Sequence, residues 1–239
     1  MKRGLLIVLA LVATSFVLIA YSVGAFQPRS EHRFRITIEV MTPDGVKQGS
    51  SVWSVTCTEI PRGAAVQWGG CKNVYAQAIF VDLGSSRNVV GLVEQRRLGT
   101  INNNIAHVAY GDEGVPRDAP SWYRYAQSWR GARPLRGDNM LTLATIRDLN
   151  DPASVKIIDP LEFNAVFGPG YALQAATLEI VPSGHWPLSA LGLSGTPITT
   201  GIENKIPFLV SHREALKSDY RNRFPAGMHL FSTGRNFGP

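Results

Sequence analysis

The sequence predicts a mainly β domain of α+β type, an antiparallel meander or sandwich with short helices, behind an N-terminal transmembrane or signal helix. Three observations predict it. Residues 4–20 carry no charge and are mostly Leu, Val, Ile and Ala; residues 33–41 alternate apolar with polar; and three more β-like runs follow at short, turn-rich intervals.

The apolar run continues through Phe26, long enough to cross a bilayer. Lys2 and Arg3 ahead of it and the small-residue stretch Val23-Gly24-Ala25 behind it are also the parts of a secretory signal. Its apolar middle, residues 5–20, is at or beyond the usual signal core of about 7 to 15 residues, which favours a retained anchor over residues 1–26. Arg29, Arg33 and Arg35 follow closely, so the Lys/Arg balance does not decide sidedness. The cleavage-like site and the two cysteines, Cys57 and Cys71, favour export: an oxidising compartment makes such a pair a disulfide, a reducing one leaves two thiols. The expected location is the inner membrane, single-pass, with the main domain periplasmic, or the periplasm if the signal is cleaved.

With 44% apolar and 18% charged residues, the composition is that of a globular protein, without internal repeats or low-complexity tracts. The net charge of +6 falls to +4 without Lys2 and Arg3. Such a mild bias suits weak attraction to anionic lipid or glycan and is too small to argue for nucleic acid.

Residues 27–32 read as a polar linker, and a single β-rich domain as 33–218. In the first strand Phe34, Ile36, Ile38 and Val40 take one side and Arg33, Arg35, Thr37 and Glu39 the other, wet one. Thr42-Pro43-Asp44-Gly45 has type I turn chemistry, and the return strand, 46–58, packs through Val52, Trp53 and Val55. Gly49-Ser50-Ser51 inside it marks a bulge or the close approach of another backbone. A loop leads to a third strand, 73–83, and a turn at 84–88 to its partner, 89–94. Cys57 and Cys71 sit at the ends of neighbouring strands, and a bond closing that loop of about 15 residues is worth about 3 kcal/mol in the chain-entropy model.

Residues 99–152 read as an irregular excursion, within which Trp122, Tyr125, Ala126 and Trp129 fall at helical spacing and 140–146 suggests a short strand. After a β-like stretch at 155–158, Asp159-Pro160-Leu161-Glu162 opens a helix that Gly168 closes. Residues 171–181 resume the β pattern. Thr200-Gly201-Ile202-Glu203 is a second capping box, Pro207 interrupts its helix, and 208–217 add another turn or two. The remainder, 219–239, reads as a loosely ordered tail.

Four pieces, residues 42–52 (TPDGVKQGSSV), 78–93 (AIFVDLGSSRNVVGLV), 167–181 (FGPGYALQAATLEIV) and 200–209 (TGIENKIPFL), resemble a family of proteobacterial membrane-anchored or exported envelope proteins of unknown activity. The resemblance implies an exported β-rich domain and brings neither an activity nor site residues.

No catalytic or metal-binding pattern stands out. The five histidines, His32, His107, His185, His212 and His229, are scattered singly without metal-ligand spacing, so neither metal nor cofactor is expected. Ser194, in Gly192-Leu193-Ser194-Gly195, has half of a nucleophile elbow, and His185 meets it only if the loop folds back. Asp82, Asp112, Glu113, Asp148 and Asp151 form an acid/base pair only if the fold assembles them. The most suggestive stretch interleaves rings with guanidinium groups: Trp122, Arg124, Tyr125, Trp129, Arg130 and Arg133. Such a set either binds a partner or packs the excursion onto the sheet with its arginines in water. The leading functional reading is a non-catalytic accessory or binding domain in an envelope assembly. The alternatives are an envelope hydrolase acting on glycan or peptide, and a module binding anionic lipid or polysaccharide.

Overall fold

A hairpin of two 14-residue strands, β1 (Arg29–Thr42) and β2 (Gly45–Thr58), organises the chain. The computed structural model describes residues 14–15, 29–58, 70–95, 103–117, 119, 121–185, 188–189, 191–212 and 231–233. The expected 1–26 helix lies outside them apart from Thr14 and Ser15, and among the described residues no helix is long and apolar enough to cross a membrane.

The fold is mainly β and antiparallel, as expected, and its strands divide between two sheets. The first holds, in spatial order, β10 (Ser232–Thr233), β3 (Gly70–Gln77), β2, β1, β9 (Ala172–Val181) and β6 (Arg133–Pro134). The second is β4 (Ile79–Gly84), β5 (Arg87–Gln95), β7 (Leu141–Ile146) and β8 (Val155–Ile158). The alternation read in β1 is the reason for this layering. Phe34, Ile36, Ile38 and Val40 are all fully buried, on the face that packs against β4 and β5.

The predicted third strand is two, because the chain changes sheets at Ala78, a bend of the kind that makes corners in packed sheets. The polar groups at that corner are met one by one. Gln77 O accepts from Ser51 Oγ (2.9 Å) and Trp53 Nε1 (3.0 Å), Gln77 Oε1 accepts from Ile202 N (2.9 Å), and Ala78 N donates to Phe231 O (2.8 Å). Close approach is what Gly49 supplies. A Cβ there would stand 2.4 Å from Phe80 O, so β4 crosses β2 backbone to backbone, while the β1–β2 register runs through Gly49 without a bulge. On the other side Asn88, buried, donates Nδ2–H to Ile146 O (2.8 Å) and accepts from Ile146 N (2.9 Å), continuing the β5–β7 ladder with a side-chain amide.

Several boundaries differ from expectation. Residues 29–32 are no linker: they pair with β2 from Arg29↔Thr58 to His32↔Val55, and His32 is buried. The excursion contains a helix, α1 (Ile105–Tyr110), and its aromatic run makes two 3-10 turns, Trp122–Arg124 and Ala126–Ser128, in place of an α-helix. The helix after Pro160, α2 (Phe163–Phe167), starts late because Asp159 Oδ1 takes the Leu161 N–H in a local turn (2.9 Å). Gly201, at φ +90°, replaces Thr200 as the cap of a 3-10 turn, Ile202–Asn204, and after Pro207 comes α3 (Phe208–Ser211). The tail is not loose throughout: Phe231 is buried edge-on against Phe208, and Ser232–Thr233 pairs with β3.

Gly49→Ala, which strand propensity alone would favour, is expected to destabilise the domain by about 1–3 kcal/mol, since backbone must move to admit the methyl. Urea unfolding checks it. An unchanged midpoint would show that the β2–β4 crossing is not tight.

Candidate functional site

The aromatic excursion is a packed stack. Trp122 lies parallel to His107 (4.7 Å between centroids) and to Trp129 (5.8 Å), and Trp129 in turn to Tyr110 (5.1 Å). Trp129 is only 2% exposed and donates Nε1–H to Glu113 O (2.6 Å); the Tyr110 hydroxyl donates to Gly131 O. The spacing that suggested a helix face therefore brings the two tryptophans together, but inside the molecule. This corrects the expectation that Trp129 is a binding residue: a ring without accessible surface has nothing to offer a partner. Trp122 and Tyr125 are half-buried. Arg133 pairs with Glu113 and lies over the Tyr110 ring, while Arg124 and Arg130 are exposed.

Where β1 begins, a buried polar cluster forms. Arg33, 4% exposed, donates Nε–H to Glu31 (2.7 Å), Nη1–H to Thr196 O (2.7 Å) and Nη2–H to Ser189 O (3.3 Å). Its backbone N–H donates to Ser183 Oγ (2.9 Å), which also accepts from Gln127 Nε2 (2.6 Å). The face of β1 read as wet is thus covered at Arg33 by the loop after β9. Next to it His32 has no hydrogen-bond partner for either ring nitrogen and packs against Trp122 and Phe34. Burial holds its pKa down at about 4, so it is neutral in the folded protein.

The other candidates take structural roles. Cys57 and Cys71 face each other across β2 and β3 and are disulfide-bonded, as expected. The loop holding Ser194 does fold back on His185, but the hydroxyl bonds the His185 backbone, accepting its N–H at 3.0 Å, and not the imidazole. Asp82 and Asp148 line one broad cleft of about 1000 Å³ with Arg87, Arg147 and Lys47. Each carboxylate accepts a nearby backbone N–H, Gly84 N (2.8 Å) and Asn150 N (2.9 Å), an Asx-turn arrangement. Asp151 Oδ1 likewise accepts from Ala153 N (2.8 Å). Asp112 pairs with His107 (2.8 Å).

One concavity went unread in the sequence. It is a groove of about 380 Å³ between β9 and the segments around Arg136 and Pro160, lined by Pro134, Met140, Leu161, Leu173 and Ala175, with Arg136 the one charged side chain among its lining residues. On this side β9 is paired by β6 only at Leu178 and Thr177, and Leu135 N donates to Ala176 O (2.8 Å). Beyond that point, among the described residues, no strand lies beside 172–175 on this edge, while β1 pairs with them on the other. Leu161, 91% exposed, stands at the groove rim. No signal in the sequence marked the groove: the pairing beside β9 runs past Pro134 to the Leu135–Ala176 bond and, among the described residues, goes no further.

The chain matches no family model, no curated protein and no solved structure.

Trp129→Ala should cost about 3–5 kcal/mol through the cavity it leaves, whereas exposed Arg130→Ala should stay within about 0.5 kcal/mol. Equal, small changes in thermal unfolding would contradict the packed stack.

His32 makes stability pH-dependent. With a folded pKa of about 4 against 6.5 unfolded, its contribution is complete above pH 6.5 and is lost as pH falls towards 4. Between pH 7 and 4 the protein should lose about 3 kcal/mol more than His32→Phe, which keeps the ring packing and has no proton to bind. Urea titrations across that range decide it; parallel curves would place the titration elsewhere.

Proposed function

We propose that this chain is a non-catalytic binding domain held at the outer face of the inner membrane, where it takes an extended segment of an envelope protein as an added strand on the open edge of β9. The observation that carries the reading is the apolar groove running beside residues 172–175 on the edge of β9 opposite β1, where no described strand pairs with them. An edge of this kind presents unsatisfied N–H and C=O groups, which natural sheets normally cover. Here the cover ends with the Leu135–Ala176 bond, one residue after β6, and a lined channel lies beyond it. An incoming strand gains main-chain hydrogen bonds from the edge and places alternate side chains in the groove.

The lining defines the partner. Leu161, Leu173, Met140 and Pro134 suit small or branched apolar side chains, and the Arg136 guanidinium at the rim suits a carboxylate. The apolar N-terminal segment, the Cys57–Cys71 disulfide and the resemblance of four chain pieces to envelope proteins support placing this site outside the cytoplasm.

A photo-crosslinking residue at position 161 of the full chain, in intact cells, is expected to trap a protein through an extended apolar segment. Leu161→Asp and Arg136→Glu, both on exposed side chains, should each weaken that association about tenfold with the melting temperature unchanged. Absence of a protein adduct, or variants that bind as the parent does, would overturn the assignment.

A further inference from the structure

The loop that follows β9 carries leucines where water should be. Leu188, Leu191 and Leu193 are 48%, 69% and 71% exposed within six residues. An apolar cluster of this kind on a soluble surface marks a contact. The loop is nevertheless built. Thr196 N donates to Pro182 O (2.7 Å) and closes its neck, and Arg33 holds Ser189 O and Thr196 O from beneath. At the tip, Leu193 N (2.8 Å) and Leu191 N (3.2 Å) both donate to Leu188 O, and Gly192 N donates to Ser189 O (3.2 Å).

Its position identifies what covers it. Val181, the last residue of β9, pairs with Arg33, so the loop leaves the sheet at the end where β1 starts. Arg29 opens β1, and the apolar run of the sequence ends at Phe26, only three residues earlier, a link spanning at most about 11 Å. Whatever surface receives that run therefore lies against the same end of the domain. Two exposed arginines share this end: Arg124 and Arg130 flank Gln127, whose amide is bonded to Ser183 at the root of the loop. An apolar tip, a turn that bonds its own N–H groups at Leu191, Gly192 and Leu193, and basic surroundings suit an interfacial membrane contact, since lipid offers no partners for stray N–H groups and anionic headgroups attract guanidinium.

We infer that Leu188, Leu191 and Leu193 form a pad that seats in the interfacial layer of the membrane holding the N-terminal segment, and so fixes how the domain stands on it. The inference rests on the reading of residues 1–26 as an anchor. With the pad in the lipid, β9 rises from the surface, and its open edge at 172–175, six or more residues from Val181 and so about 20 Å further along the strand, faces away from it. The pad would thereby present the groove to partners and set its height.

The test uses the full chain, disulfide intact, in vesicles of phosphatidylethanolamine and phosphatidylglycerol, labelled with an environment-sensitive fluorophore through Leu191→Cys, Leu161→Cys or Leu11→Cys. Nitroxide-bearing lipids are expected to quench the label at 191 several-fold more than that at 161, and aqueous iodide to do the reverse. Iodide quenching at 191 as strong as at 161 would overturn the pad. Shielding from iodide without lipid quenching would overturn it too, assigning the leucines to a protein contact. The label at 11 reports the anchor separately: lipid quenching at 11 but not at 191 leaves the anchor standing and removes the pad, while quenching at 191 but not at 11 keeps the pad and removes the anchor.

Discussion

The buried guanidinium of Arg33 is the constraint around which one end of this molecule is arranged. A charge taken out of water is tolerated only where its hydrogen bonds are replaced, and here Glu31 from β1 and Ser189 and Thr196 from the loop after β9 replace them. Glu31 also accepts from Ser54 on β2 (2.8 Å), and the Arg33 backbone binds Ser183, which binds Gln127. The Arg33 cluster thus ties the start of β1 to β2 through Glu31, to the loop after β9 through the guanidinium, and to the turns carrying the aromatic stack through Ser183. Removing the guanidinium's partners would leave an uncompensated buried charge, so the loop is held in place by the cost of letting go.

The rest of the fold follows from how two sheets are brought into contact. β4 crosses β2 at Gly49 because only a residue without Cβ admits the Phe80 carbonyl there, and Gly91 in β5 leaves the matching space for Ile38. The chain reaches the second sheet by continuing β3 through Ala78, so the corner sits at a strand edge, where Phe231 and Ser232–Thr233 cover it. The opposite edge is covered only in part. β6 protects the end of β9 nearest the Arg33 cluster and leaves the other end open. Two unlike surfaces result at the two ends of one strand, a leucine-tipped loop after Val181 and an apolar groove beside Leu173 and Ala175.

The burial of His32 belongs to the same arrangement. It follows in register from the Arg33 pairing, which carries β1 beyond the sequence-predicted start and puts an imidazole where Phe34, Ile36 and Ile38 continue the stripe. Trp122 closes over it edge-on. The domain therefore carries a neutral, unpartnered imidazole at the end where β1 starts.

What the sequence determined by itself was local and periodic: the alternation of β1, the Pro43-Asp44 turn, an irregularity or close approach at Gly49-Ser50-Ser51, a strand over 171–181 and the pairing of two cysteines one short loop apart. These are legible because each depends on neighbours within a few residues. What only the tertiary structure decided depends on which surfaces meet. Trp122 and Trp129 had the same composition whether they bound a partner or packed a core, and stacking with His107 and Tyr110 from α1 settled it. Arg33 looked like any residue on a wet face until a loop 150 residues later covered it. The open edge of β9 is a property of where β6 stops, and a strand's own sequence does not say who lies beside it, because main-chain pairing is chemically the same for every residue that can make it.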